Sequence, residues 1–259
     1  MMDFGLNLFS LRTLLKDEAG FLDTANRLKD MGYSFLQFSG CPYDADMIAR
    51  VSKQCGMPIV LTHVPMTRIL NETDALMEEH ARFDCKNIGL GMMDMNILAD
   101  ETRCKQTVEA LNSAAEKMKQ NGFNFFYHNH HFEFYKHNGE TVFDYMIKNA
   151  PSINFTLDTY WVQYGGADLL AHIEKLNGRI GCVHLKDYRI NASLNKDGNL
   201  VMEPKFAPVG DGTLDFARII EKMKLSGAEY FLVEQDNAVD FPEPLEQVKR
   251  SIDYLKKEF

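Results

Sequence analysis

Eight short apolar runs alternate with amphipathic helical stretches along the 259-residue chain, and strict β/α alternation indicates a parallel sheet. A (β/α)8 TIM barrel takes roughly 250 residues, so one such domain over residues 1–259 uses nearly the whole length. Four of the later runs also end in side chains able to ligate a metal: Phe125-Phe126-Tyr127-His128-Asn129-His130, Phe155-Thr156-Leu157-Asp158, Gly181-Cys182-Val183-His184-Leu185-Lys186 and Phe231-Leu232-Val233-Glu234. Closing these runs into a barrel gathers all four groups at the rim where barrel enzymes keep their chemistry. The predicted fold class is therefore α/β, a (β/α)8 TIM barrel. A doubly wound open sheet would favour Gly-x-Gly-x-x-Gly after the first strand. Phe9-Ser10-Leu11-Arg12 stands there instead.

The predicted strands are 3–8, 33–38, 58–62, 87–91, 123–129, 153–158, 180–185 and 229–234. The predicted helices are 16–31, 43–56, 71–84, 100–121, 141–149, 166–177, 213–225 and 242–257. Gly32 and Gly122 stand just past the first and fourth helices, as left-handed caps do. Thr141 with Asp144 starts the fifth helix through an acidic relative of the capping box. Thr213 or Asp215 caps the seventh after the Gly210-Asp211-Gly212 turn. Segment 187–212 reads as the longest irregular stretch, a rim loop of the kind that carries function.

Net charge is −9, which argues against a non-specific nucleic-acid or membrane surface, since those partners are themselves anionic. Cys41, Cys55, Cys85, Cys104 and Cys182 are odd in number and lack paired metal-finger spacing, the pattern of reduced thiols in a cytoplasmic protein. Met1-Met2-Asp3-Phe4-Gly5 shows no signal-peptide pattern. No apolar run approaches the ~20 residues that span a bilayer.

Strand alternation sorts the polar residues by face. His128 and His130 share one face of the fifth strand, Cys182, His184 and Lys186 one face of the seventh, and Glu234 and Asp236 one face of the eighth. A charge at the lumen end needs a partner, because desolvating it unpaired is costly. A divalent metal would supply one, and imidazoles with carboxylates suit Mn²⁺, Zn²⁺, Mg²⁺ or Co²⁺. The plainer alternative is a rim of solvated, hydrogen-bonded polar groups. His63, in Thr62-His63-Val64-Pro65, ends the third strand and is a candidate for substrate hydroxyls or a phosphate, or a loop histidine bonded to backbone. Gln37 ends the second strand and is placed to bond a sugar hydroxyl. Arg12 follows the first strand and could do the same or pair with a rim acid. Trp161 is a candidate wall against a sugar ring. His131, His137 and His172 read as surface residues, and the many methionines as core filling.

Taken in order, Leu8-Phe9-Ser10-Leu11-Arg12, Thr62-His63-Val64-Pro65, Tyr127-His128-Asn129-His130-His131-Phe132-Glu133-Phe134, Leu157-Asp158-Thr159-Tyr160-Trp161, Val183-His184-Leu185-Lys186-Asp187, Val209-Gly210-Asp211-Gly212 and Val233-Glu234-Gln235-Asp236 resemble the xylose isomerase-like TIM-barrel superfamily. It includes sugar and sugar-phosphate isomerases and epimerases, inosose dehydratases and apurinic endonucleases. The resemblance implies one divalent metal held by glutamate, aspartate, histidine and glutamate from strands five to eight. The last three correspond to Asp158, His184 and Glu234. The first departs: His128 stands where the epimerase pattern has glutamate. Glu133 could replace the missing carboxylate or orient a histidine. The Tyr-His-Asn-His form resembles the inosose dehydratases and members that process keto-sugars.

The expected function is a metal-dependent isomerase or epimerase-family enzyme that abstracts a proton next to a metal-held carbonyl. Its substrate would be a small sugar, keto-sugar or polyol. The alternative within the same chemistry is a dehydratase or lyase on a keto-sugar or keto-inositol. That outcome is preferred because an imidazole in the strand-five place removes one of the two carboxylates that epimerisation uses. Glu234 is the candidate ligand and base, and Lys186 the candidate acid or oxyanion stabiliser unless it only pairs with Asp187 or Glu234. Glu133 and His130 are reserves, His130 also for substrate binding. A reading from another class is a non-catalytic sugar-binding barrel. An endonuclease is disfavoured by the acidic charge and by Trp161, which stands where that group carries a further histidine. A homo-oligomer is left open.

Overall fold

The computed structural model describes residues 2–259; Met1, the first residue of the predicted domain, lies outside them. Eight parallel strands close into a barrel: Gly5–Asn7, Phe35–Phe38, Ile59–His63, Asn87–Leu90, Asn124–His128, Asn154–Asp158, Ile180–Leu185 and Tyr230–Val233. Each pairs with the next in sequence, and the eighth returns to the first through Gly5↔Leu232 and Leu6↔Val233. Every predicted strand is present.

The helices follow from local chemistry. Asp17, Asp44, Asp100, Thr141 and Asp215 each accept a backbone N–H and so start Glu18–Met31, Ala45–Cys55, Glu101–Gln120, Val142–Asn149 and Phe216–Leu225. Gly32 and Gly122 take left-handed φ of 96° and 77° just past their helices. Thr73–Ala81, Leu169–Lys175 and Pro244–Glu258 complete the predicted eight. Three short helices at Met66–Asn71, Met95–Ala99 and Thr159–Tyr164 were not expected. They lie in strand-to-helix connections, where runs of about six residues are too brief for a periodic signal.

Segment 187–212 corrects the sequence reading. It is mostly an antiparallel hairpin, Asp187–Leu194 paired with Leu200–Ala207, rather than an irregular loop. Its base is fastened by Asp187, whose buried carboxylate accepts N–H groups from Tyr188, Gly210, Gly212 and Leu214. The Gly210-Asp211-Gly212 turn wraps this carboxylate closely: a Cβ on Gly212 would lie 2.1 Å from Asp187 Oδ1.

The apolar core has two parts. The larger lies between the barrel and its helices. The smaller includes Phe35, Leu61, Phe126, Cys182 and Leu232. Two residues further along the same five strands are Gln37, His63, His128, His184 and Glu234. Because side chains alternate with period two, an apolar floor in the lumen lifts a polar layer to the rim. No helix among the described residues is long and apolar enough to cross a membrane.

His80 marks an acid-sensitive point outside that rim. It is fully buried; its Nδ1 donates to the Leu76 carbonyl and its Nε2 accepts from Thr62 Oγ1, both at 2.7 Å. Burial pushes its pKa down to about 4, against the Leu76 hydrogen bond that favours the charged form. The unfolded chain therefore takes up this proton first. Stability present above about pH 6.5 is lost as pH falls toward the folded value, at roughly 1.4 kcal/mol per pH unit. Urea unfolding of His80→Gln should lose about 2 kcal/mol less than the parent between pH 7 and 5. Equal losses would show that His80 is not a source of the acid sensitivity.

Candidate metal centre

His128, Asp158, His184 and Glu234 end the fifth to eighth strands, and each offers a ligand atom within 4.8 Å of the others'. All four are buried. Neighbouring groups fix how each is presented. His128 Nδ1 donates to the Gly91 carbonyl at 3.0 Å, which leaves Nε2 as a bare lone pair. His184 Nε2 donates to Gln37 Oε1 at 2.7 Å, which leaves Nδ1 bare. These two nitrogens face each other across 3.0 Å. Burial, reinforced by the neighbouring imidazole of His184, holds His128 well below its ordinary pKa and so neutral.

The carboxylates are equally directed. Asp158 turns Oδ1 to the N–H groups of Tyr160 and Trp161, both 2.8 Å away, capping the short helix behind it. Its Oδ2 lies 3.4 Å from His128 Nε2. Glu234 Oε1 accepts from Asn7 Nδ2 at 2.6 Å, and Oε2 lies 3.0 Å from His184 Nδ1. Asn7 also accepts the Phe9 N–H, so one side chain starts the first turn and aims the last carboxylate.

Lys186 enters from the same face of the seventh strand as His184. Its buried ammonium lies 3.3 Å from Asp158 Oδ2, 2.8 Å from Glu234 Oε2 and 2.9 Å from Asp236 Oδ1. Burial works against the charge, but the three carboxylates outweigh it and raise the pKa, keeping the lysine protonated. Burial works against Glu234 too, and there the Lys186 ammonium, 2.8 Å away, helps hold the carboxyl well below its usual range. Burial prevails at Asp158, raising it, and pushes Asp236 up to about 6.

Three carboxylates against one ammonium leave two negative charges in excess in a closed space. Such a charge excess is costly to desolvate. A divalent cation would neutralise it and would take up the facing lone pairs of His128 and His184. Two imidazoles and two carboxylates are donors that Mn²⁺, Zn²⁺ and Co²⁺ accept, with Mg²⁺ less well served by nitrogen. The residues present therefore fit a divalent metal. Asp236 lies outside the four grouped ligands and is available to keep Lys186.

A cavity of about 320 Å³ opens above these groups, lined by Phe9, His63, His128, His130, Lys186, Glu234 and Asp236 among others. Gly91 makes room there, since a Cβ on it would lie 2.9 Å from His63 Nδ1. His63 borders the cavity but is not grouped with the ligands. Its Nδ1 bonds Ser39 Oγ at 3.1 Å, and its Nε2 accepts from Gln37 Nε2 at 3.0 Å. Gln37 thus uses its two ends on His63 and His184. It is fully buried, and its side-chain amide is taken up by two histidines rather than turned to the cavity.

His130 lies beside His128 with ring centroids 4.6 Å apart, and burial, with His128 adding to it, pushes its pKa down to about 2. Trp161 stands behind the lysine, its ring centroid 5.1 Å from Lys186 Nζ. Arg12 donates to the carbonyls of Phe9 and Asp236, fastening the loop that carries Asp236 and not pairing with a rim acid. Glu133 does not reach the centre. It is fully buried, accepting from Tyr127 Oη at 2.6 Å and from the His130 N–H at 2.7 Å. It ties down the loop after the fifth strand and replaces no ligand. His131, His137 and His172 lie partly buried at the surface, and His131 stacks on Trp161 with centroids 5.1 Å apart. Asn7 and Asp236 are the site residues that the sequence reading left without a role. Asp236 is marked in the sequence by sharing a strand face with Glu234 and by the motif Val233-Glu234-Gln235-Asp236.

A model of the family described as xylose isomerase-like TIM barrel matches residues 25–258. The inosose dehydratase of Geobacillus thermodenitrificans is 28% identical over 163 residues, covering 58% of this chain and 53% of that protein. The chain spans about half the length of the curated relatives it matches. A sugar phosphate isomerase/epimerase from Parabacteroides distasonis superposes with a TM-score of 0.79 at 21% identity, over 99% of this chain and 94% of its own. The probable 3-DHS dehydratase AsbF, involved in petrobactin synthesis in Bacillus anthracis, superposes with a TM-score of 0.73 at 15% identity over 100% of both chains.

Purified protein loaded with Mn²⁺ should retain one equivalent after gel filtration. Glu234→Ala should lose it while keeping the far-ultraviolet circular dichroism of the parent. Full metal occupancy in that variant, read by plasma mass spectrometry, would show that the ligand set is wrong.

Proposed function

The chain belongs to the xylose isomerase-like TIM-barrel family, and within it we propose a divalent-metal-dependent dehydratase of a small keto-sugar or keto-inositol. The observation that carries this reading is the placement of the carboxylates. Asp158, Glu234 and Asp236 crowd one side of the centre with Lys186. The fifth strand contributes His128, and Glu133 is held away by Tyr127 and the His130 N–H. Proton return to the opposite face of a substrate, as two-carboxylate epimerisation needs, has no second carboxylate here. The similarity to inosose dehydratases supports the same choice.

A cation held by His128, Asp158, His184 and Glu234 supplies Lewis-acid polarisation of a substrate carbonyl. The remaining work falls to the chain. Glu234 has Oε1 committed to Asn7 and Oε2 beside Lys186 and His184, so it serves better as a ligand than as the base assigned from sequence. Asp236 is the more exposed carboxylate of the two, at 24% against 5%, and borders the cavity. It accepts the proton from the carbon next to the carbonyl. As the carbon–carbon double bond forms, the hydroxyl on the next carbon departs with a proton from the Lys186 ammonium, as water. The proton taken by Asp236 then restores the lysine across a contact of 2.9 Å. Phe9 gives the cavity an apolar wall and Trp161 backs Lys186, which limits water around these transfers.

Isomerase or epimerase chemistry is the second reading, favoured by the overall likeness to a sugar phosphate isomerase/epimerase. Incubation of the metal-loaded protein with 2-keto-inositol and with matched ketose epimer pairs in D₂O, followed by ¹H-NMR, separates the two. The dehydratase reading predicts a dehydrated product and no accumulation of epimer; fast epimerisation with no elimination product would overturn it. Lys186→Met and Asp236→Asn should keep the metal and lose at least about 100-fold in kcat/KM, the scale of one general acid or base. Unchanged kcat/KM in either variant would remove that residue from the chemistry.

A further inference from the structure

The hairpin of Asp187–Leu194 and Leu200–Ala207 has two unlike faces. Tyr188, Ile190, Ala192 and Leu194 pair across with Phe206, Pro204, Met202 and Leu200, and period-two alternation puts all eight on one face. That face carries no charge. The other holds Arg189, Asn191, Ser193, Glu203 and Lys205. Only the base of the apolar face is covered: Tyr188 and Phe206 pack on Tyr160, with ring centroids 5.0 and 4.8 Å apart. Beyond it Ile190, Leu194, Leu200 and Met202 are 51–70% exposed. A two-stranded ribbon with no packed face is marginal in water.

The same chain carries a concave counterpart. Met95, Leu98, Phe132, Phe134, Tyr135 and Tyr164 line an open apolar groove of about 450 Å³. Met95, Tyr135 and Tyr164 are each more than half exposed. Groove and arm flank one helix, Thr159–Tyr164: Tyr160 touches the arm's base and Tyr164 lines the groove.

We propose that the occupant of both surfaces is a second copy of this chain, with each arm lying in the other's groove around a two-fold axis. Self-complementary surfaces on one rim form a closed, isologous contact. No charged residue lines the groove, and the arm's charges lie on its opposite face, so docking buries none. The exposed part of one arm offers on the order of 500 Å² of apolar surface, the upper size for a patch left open on a monomer. The two exposed arm faces together offer roughly 1,000 Å² of apolar surface before the grooves are counted, at the lower size of a specific interface. The inference does not depend on the reaction proposed above.

Light scattering on gel-filtered protein at high micromolar concentration tests this. The parent should run at twice its 29.7 kDa mass. An arm variant, Leu194→Asp with Met202→Asp, and a groove variant, Met95→Asp with Tyr135→Asp, should each run as folded monomers by circular dichroism. Ser193→Asp, on the polar face, should stay dimeric. Mixing the two monomeric variants should restore dimer, because one intact arm still meets one intact groove. A monomeric parent, a dimeric arm or groove variant, or a mixture that stays monomeric would each overturn the proposal. Loss of fold in one variant leaves the other, and the Ser193→Asp control, to decide it.

Discussion

Two buried carboxylates and the half-buried Asp236 share one ammonium at the rim of the barrel, and this imbalance governs how the groups around it are arranged. Desolvated charge of one sign is tolerated only where a partner is held close. The neighbourhood is built to receive positive charge. His128 and His184 have their outer nitrogens tied to the Gly91 carbonyl and Gln37, which turns two lone pairs inward. Asn7 fixes the far oxygen of Glu234, and the helix start at Tyr160 and Trp161 fixes that of Asp158. Each candidate ligand is thus aimed by a second group, as metal-ligating side chains generally are. The chain Ser39, His63, Gln37, His184 extends this orientation through two more strands.

The barrel makes such an arrangement possible through the period of its strands. Its apolar floor and its polar rim are the same strand faces read two residues apart, so the residues that plug the lumen also set the height of the ligands. For the proposed dehydration, the residue type that matters most is the imidazole at His128. An imidazole there can hold a cation as a carboxylate can, but once it does so it has no free lone pair with which to take a proton. In the proposed reaction, proton traffic then falls to the Lys186 side, where one carboxylate and one ammonium lie in contact. That asymmetry suits abstraction followed by departure of a neighbouring hydroxyl better than removal and return across two faces.

The eight strands and the four grouped side chains were legible in the sequence because period two is a strong local signal, and because a closed barrel leaves little choice of topology. What the sequence hid was tertiary. Gln37 and Glu133 are polar residues near strand ends, and nothing local separates a group that meets substrate from one that fastens a neighbour. Their roles follow from His184, Tyr127 and the His130 N–H, which only folding brings near. Asn7 lies 227 positions from the carboxylate it orients. The hairpin after the seventh strand alternates as regularly as any barrel strand, yet its turn, Asn195-Lys196-Asp197-Gly198, and its Pro204 made it read as a loop.

The account stands on a cation at the centre of the inward lone pairs. Anomalous diffraction at the manganese edge from crystals grown with Mn²⁺ tests this directly. It should give a single strong peak within bonding distance of His128 Nε2, His184 Nδ1 and the carboxylates of Asp158 and Glu234, with Lys186 still paired to Asp236. A manganese peak elsewhere, or none with His128 and His184 hydrogen-bonded to each other through a shared proton, would contradict it.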